Sequence, residues 1–173
     1  MGIFNRHFYD IKITPPPKES VHVGVDFTSR NLLQFGLNLP VEISTASILR
    51  TPPLSIPLSS IVVIAHFDTG ASVTSIDIEL AKHLNLITIG QSENRTAMGQ
   101  QTMPNFAVDL SFPNTKLAPL NNLRISSCRL GFNLKNNMKP LKFLNIGILI
   151  GRDVMSRWNI IWNGPTSTVI ISD

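Results

Sequence analysis

An all-β barrel or sandwich is the fold class that this sequence predicts, on two observations. Short runs rich in Val, Ile, Leu and Phe alternate with proline-marked breaks, and only two stretches show helical spacing. The apolar runs are residues 37–43, 61–67, 106–112, 144–150, 160–162 and 169–171, each of strand length and bounded by turn residues. The breaks fall at Pro15-Pro16-Pro17, at Pro52-Pro53 with Pro57, at Pro113 with Pro119, and at Pro140, where proline fixes φ and removes a backbone donor. Over residues 75–84, Ile76, Leu80 and Leu84 recur at helical spacing; Thr74 or Asp77 can cap the start and Asn85 can end it. A second short helical turn is expected over residues 153–158. Residues 1–31 read as an extension and residues 32–173 as one domain.

Composition excludes several classes. With 43% hydrophobic residues in 173, the chain can bury a full core, which excludes a disordered protein. No apolar run approaches the ~20 residues of a membrane span. The chain carries 15 Lys and Arg against 11 Asp and Glu, a net +4. Lys116, Arg124, Arg129, Lys135, Lys139, Lys142 and Arg152 fall in a stretch without acids, yet they stand singly and without interleaved aromatics. They read as a solvated face rather than a nucleic-acid surface. The single cysteine, Cys128, makes no intrachain disulfide, and the N-terminus has no long apolar signal core, so a cytoplasmic location is expected. Asn94-Arg95-Thr96 is then a chance sequon.

The chemistry lies in Ile61-Val62-Val63-Ile64-Ala65-His66-Phe67-Asp68-Thr69-Gly70-Ala71-Ser72. An apolar strand delivers Asp68 into a turn that contains Gly70, and a buried carboxylate is costly unless it is paired or hydrogen-bonded. Alone, a strand-end Asp-Thr-Gly is an ordinary turn. A second segment, Ile148-Leu149-Ile150-Gly151-Arg152-Asp153-Val154-Met155, follows at single-domain distance and runs another strand through glycine into a short helix.

The ordered pair of segments resembles the retropepsin-like aspartic proteases, the single-domain family that includes the retroviral enzymes. The resemblance implies a closed β-barrel with one or two short helices, an aspartic endopeptidase activity, and a homodimer in which each chain supplies Asp68. Two carboxylates so placed share one proton, because both cannot ionise together. One activates water while the other polarises the scissile carbonyl. By the same resemblance Thr69 bonds across the dimer axis, Gly70 offers its carbonyl to substrate, and Ala71 completes the loop. Ala97, Met98, Gly99 and Gln100 fall where the family has its flap, and Ile150, Gly151, Arg152 and Asp153 support the site. A peptide substrate is implied, with no metal or organic cofactor, nucleic acid or membrane.

Three departures stand out. Ser72 occupies the place of the acid that commonly pairs with the arginine after Gly151, leaving Arg152 in need of another partner. The stretch before Asp68 is long, and residues 51–57 read as an extended hairpin loop. Asp26-Phe27-Thr28-Ser29 is a faint second copy without glycine, too little for a two-lobed enzyme. Asp153 is expected as a helix N-cap. His66 shares a strand face with Asp68 and is expected to be satisfied by backbone, and Cys128 is a bystander thiol. Residues 167–172 form an apolar strand at a chain end, an edge for a second chain to cover. The alternative to the enzyme is a retropepsin-like dimerisation or peptide-binding module with weak or no activity.

Overall fold

The computed structural model describes residues 36–52, 54–96, 99–136, 145–163 and 168–173. The expected extension over residues 1–31 lies outside them, as do Lys139, Lys142 and two of the expected flap residues, Ala97 and Met98. The described elements are nine strands and three short helices, with one 3-10 turn at Leu134–Asn136. The strands are β1 (Asn38–Thr45), β2 (Ser60–Phe67), β3 (Ser75–Asp77), β4 (Thr88–Thr96), β5 (Gly99–Ser111), β6 (Leu120–Cys128), β7 (Ile146–Ile150), β8 (Asn159–Asn163) and β9 (Thr168–Ser172). The helices are α1 (Ser47–Arg50), α2 (Ile78–His83) and α3 (Arg152–Met155).

Six strands close a barrel in the order β1-β2-β7-β3-β6-β5, with β1 pairing back onto β5. The all-β expectation holds, and its physical basis is clearest in β1 and β2, where inward and outward side chains alternate. Leu39, Val41 and Ile43 of β1 and Val63, Ala65 and Phe67 of β2 point inward. They meet Ile76, Val108, Leu110, Ile125, Ile148 and Ile150 in one apolar core. Trp158 closes one end, its ring 6.1 Å from Phe67 and edge-on to Phe112 at 5.3 Å. Strand β4 lies outside the closed ring and pairs with the first half of β5 as a long hairpin.

Consecutive strands β2 and β3 are not neighbours. Strand β7 enters between them, parallel to β2 and antiparallel to β3. The chain from Asp68 to Thr74 therefore passes over the C-terminal end of β7, and the two backbones nearly touch there. A Cβ at Gly151 would sit 2.5 Å from the Val73 carbonyl carbon and 2.8 Å from the Thr74 nitrogen, so no larger residue fits.

Several elements depart from the sequence reading. The helix expected over residues 75–84 begins only at Ile78, because Ser75 to Asp77 are taken by β6 and β7 as β3. Asp77 is the cap, accepting from the Glu79 nitrogen at 2.8 Å, and Asn85 ends the helix at φ +51. Asp153 is not an N-cap. Gly151 holds that position, and Asp153 lies in the first turn of α3. Strands β4 and β6 arise from polar segments with no continuous apolar run. In β6 the alternation is broken at Asn122, which adopts φ +56. Residues 51–57 lie in the long connection between antiparallel β1 and β2, as expected, with α1 formed at its start. Asp109 accepts from the Ser47 nitrogen, the Arg50 guanidinium and the Asn122 nitrogen, which fastens α1 to the barrel. The C-terminal strand β9 is paired with β8, and its Val169 and Ile171 are buried within the chain, so that strand is less bare than its sequence suggests.

Gly151→Ala is expected to destabilise the fold by about 1–3 kcal/mol or more, through overpacking against backbone that cannot yield. Chemical denaturation checks it. An unchanged midpoint would show that the crossing at residues 73–74 relaxes freely.

Candidate active site

The site grows from the end of β2. Phe67 is anchored in the core, and the next residue, Asp68, donates its backbone nitrogen to the Ile150 carbonyl at 3.0 Å. The chain then reverses, with the Ala71 nitrogen donating to the Asp68 carbonyl at 3.1 Å. Gly70 donates its nitrogen to Asp68 Oδ1 at 2.8 Å, which orients the carboxylate. A Cβ at Gly70 would stand 3.0 Å from that same oxygen, so glycine leaves the carboxylate room. Thr69 and Gly70 are exposed.

The loop is held from β7 and α3. The Arg152 nitrogen donates to the Ala71 carbonyl at 3.0 Å, and Arg152 Nη1 donates to the Thr69 carbonyl at 2.6 Å. Arg152, left without its acid by Ser72, thus finds a backbone partner on the Asp68 turn itself. Asp153 reaches across the crossing. Its two oxygens accept from the Thr74 nitrogen at 2.9 and 3.0 Å, and Oδ1 also accepts from the Thr74 hydroxyl at 2.8 Å and from the Val154 nitrogen. The Thr74 hydroxyl in turn accepts from the Gly151 nitrogen at 3.0 Å. Thr74 entered the sequence reading only as a possible helix cap, and no local motif marks it as the centre of this clamp. Ile150 and Arg152 are thus brought against Asp68, Thr69 and Ala71, and Gly151 and Asp153 against Val73 and Thr74 just beyond the turn. Gly99 and Gln100 begin β5 at the far end of the hairpin, opposite Thr96 and Arg95, with Gly99 at φ +104.

His66 has a side-chain partner rather than the expected backbone one. Asn38 Nδ2 donates to the Gly36 carbonyl, which turns Asn38 Oδ1 towards the ring, and His66 Nδ1 donates to it at 3.0 Å. Burial pushes the His66 imidazole below its ordinary 6.5, and the neighbouring Asp68 carboxylate pulls the other way without cancelling it. The Cys128 thiol is pushed up to about 12 by burial and by Asp77, so it stays protonated and is no nucleophile at neutral pH. Among the described residues no cluster of His, Cys, Asp and Glu is arranged to hold a metal ion, and no helix is long and apolar enough to cross a membrane.

Comparison with known proteins adds likenesses of fold. No family model matches the chain, and no curated protein matches it. A crystal structure of a retropepsin-like aspartic protease from Rickettsia conorii is similar at 13% identity, over 78% of this chain and 79% of that one, with a TM-score of 0.43. The solution structure of the Simian Foamy Virus (mac) protease is similar at 13% identity, over 68% of this chain and 89% of that one, with a TM-score of 0.35.

Beside the Asp68 loop lies an apolar depression of about 450 Å³, walled by Phe67, Thr69, Met155, Ile160 and Trp162 among others. Its β8 wall is Ile160 and Trp162, of which Trp162 is 51% exposed.

Thr74→Val removes the hydroxyl from the clamp and leaves the Gly151 nitrogen buried without its acceptor, so a loss of about 1–3 kcal/mol is expected on denaturation. Asp153→Asn should lose stability before it alters chemistry. For His66 the lowered pKa means that the unfolded chain binds the extra proton first. Its contribution to stability is complete above pH 6.5 and is lost as pH falls through the lowered folded value. His66→Gln should flatten that limb of the stability profile, and an unaltered profile would show that another group sets it.

Proposed function

We propose that the chain is a retropepsin-like aspartic endopeptidase in which Asp68 from each of two chains forms the catalytic pair. The observation that carries the reading is the Asp68 turn itself. It holds a carboxylate at the mouth of the barrel, oriented by the Gly70 nitrogen and clamped by Arg152 and the Thr74–Asp153 network.

A rigid carboxylate suits general acid–base work, since a small displacement of the reacting group is costly to the rate. With two Asp68 side chains facing each other, one proton is shared between them. The ionised member takes a proton from a bound water, which attacks the peptide carbonyl. The protonated member donates to the carbonyl oxygen and, as the bond breaks, a proton reaches the leaving nitrogen. No acyl-enzyme forms. Thr69 is the residue that ties the two loops together, and Gly70 offers its carbonyl to substrate backbone. The β4–β5 hairpin serves as the flap, with Gly99 near its tip and Gln100 next to it.

The homodimer is supported by the apolar surface beside the Asp68 loop. Exposed Trp162 lines the depression that borders Thr69 together with Ile160 and Met155, and gives a surface that a second copy can cover on a two-fold axis. The paired β8–β9 sheet offers this face to the partner, in place of one bare terminal strand.

Asp68→Asn is expected to lower peptide hydrolysis by ~10²-fold or more while the protein still folds. Wild-type turnover in that variant removes the assignment. Activity should peak at acid pH and fall as the shared proton is lost. A rate that climbs above neutrality and is abolished by chelators instead indicates a metallopeptidase. Specific activity should fall on dilution, and Trp162→Glu should steepen that fall. Sedimentation that finds a fully active monomer refutes the shared site, whereas a stable dimer without Asp68-dependent cleavage identifies the peptide-binding module.

A further inference from the structure

The strand that delivers Asp68 carries a second titratable side chain on the same side. Phe67 is turned into the core, so the residues on either side of it, His66 and Asp68, lie on the opposite face. Extended pairing continues as far as Asp68: the Phe67 nitrogen donates to the Leu37 carbonyl at 2.9 Å and the Asp68 nitrogen to the Ile150 carbonyl at 3.0 Å. Positions two apart on such a strand are separated by about 6–7 Å along the backbone. The Asp68 carboxylate acts on the imidazole across that gap.

The imidazole is held in place by more than its strand. Asn38 is wholly buried, and with its amide nitrogen on the Gly36 carbonyl at 3.1 Å its Oδ1 is left to accept from His66 Nδ1 at 3.0 Å. Gly36 closes over the ring at φ +71, where a Cβ would stand 3.0 Å from His66 Cε1. A neutral ring that donates from Nδ1 has its lone pair on Nε2, so the proton gained at acid pH goes to Nε2 and the bond to Asn38 is kept. The ring thus changes charge without changing place. Strand β1 sets Asn38 against it and β7 sets Leu149, neither of them charged. The one charge of β1, Glu42, lies four residues along the strand and accepts from the Ser111 hydroxyl. The guanidinium of Arg152 is engaged by the Thr69 carbonyl. Among the described residues, Asp68 is therefore the charge that His66 answers to.

We propose that His66 is a positioning residue for the Asp68 pair, a fixed imidazolium that keeps the pair singly ionised at acid pH. The proposal rests on the peptidase reading of Asp68. Catalysis needs one carboxylate charged and the other protonated, and at the acid end of the range it is the charged member that is lost. A cation held on the same sheet face favours that charged member. Burial opposes the protonation of His66 and the Asp68 carboxylate supports it, so the cation and the ionised pair favour one another. As pH rises His66 gives up its proton, and its influence falls on the acid limb of activity.

The test compares the pH profile of kcat/KM for a cleaved peptide in the full-length wild type and in His66→Gln, with thermal melting at each pH to confirm folded protein. His66→Gln should move the acid limb up by about half a pH unit to one pH unit, a loss of about three- to tenfold in kcat/KM at pH values below the limb. The second measurement is an NMR titration of the His66 ring proton in the wild type and in Asp68→Asn, which reads the coupling without catalysis. Removing the carboxylate should lower the His66 midpoint by about half a pH unit or more. An acid limb that stays in place in folded His66→Gln, or a loss of rate that is equal at every pH, overturns the role and leaves the peptidase standing. A His66 midpoint that is the same in Asp68→Asn also overturns it, even where His66→Gln fails to fold. A midpoint that moves in a wild type that cleaves no peptide at any pH overturns the peptidase reading, and with it the role, while the coupling between the two side chains stands.

Discussion

The contact between the Val73–Thr74 backbone and the end of β7 is the constraint on which the site depends. Because β7 lies between two strands that are consecutive in sequence, the chain that joins them must cross it. The crossing is so close that Gly151 admits no side chain. Backbone groups brought together there need partners, and Thr74 and Asp153 supply them. What looks like a hydrogen-bond network around a turn is thus the means by which a buried crossing is satisfied.

That crossing explains the rigidity of Asp68. The turn that bears it is bounded on one side by β2, whose Phe67 is fixed in the core against Trp158, and on the other by the Thr74 clamp. Arg152 adds two further bonds, one from its backbone and one from its guanidinium, to carbonyls of the same turn. Ser72 offers no carboxylate beside Arg152, and the guanidinium instead binds the Thr69 carbonyl directly and supports the loop.

The outer face of the barrel shows a different balance. Its inward neighbours are apolar throughout, as a closed barrel requires. Beyond Leu149 the outer row of Ser75, Ser126 and Asn105 is polar and buried. At the β2 end, Asn38 matches His66. At the far end Ser92 of β4 bonds to Asn105 and Ser126, which ties the hairpin to the barrel through hydroxyl and amide groups.

The turn that bears Asp68, the apolar runs that form β1, β2 and β7, the breaks at Pro52, Pro57, Pro113 and Pro119, and the end of α2 at Asn85 were all legible in the sequence, because each is set by neighbours within a few residues. Strand β3 was not, since residues 75–77 carry a helical spacing that loses to the backbone hydrogen bonds offered by β6 and β7 on either side. Strands β4 and β6 were hidden for a related reason: their pairing with β5 is made by main-chain groups, which the polar side chains neither require nor announce. Asp153 read as a cap because a carboxylate near a helix start usually is one, whereas the fold turns it to a threonine 79 residues away. Local chemistry determined that the end of β2 carries a carboxylate and what kind of turn holds it. Only tertiary structure decided what clamps that turn, what His66 touches and which side chains share the face beside Asp68, because those depend on strand register between segments far apart in the chain.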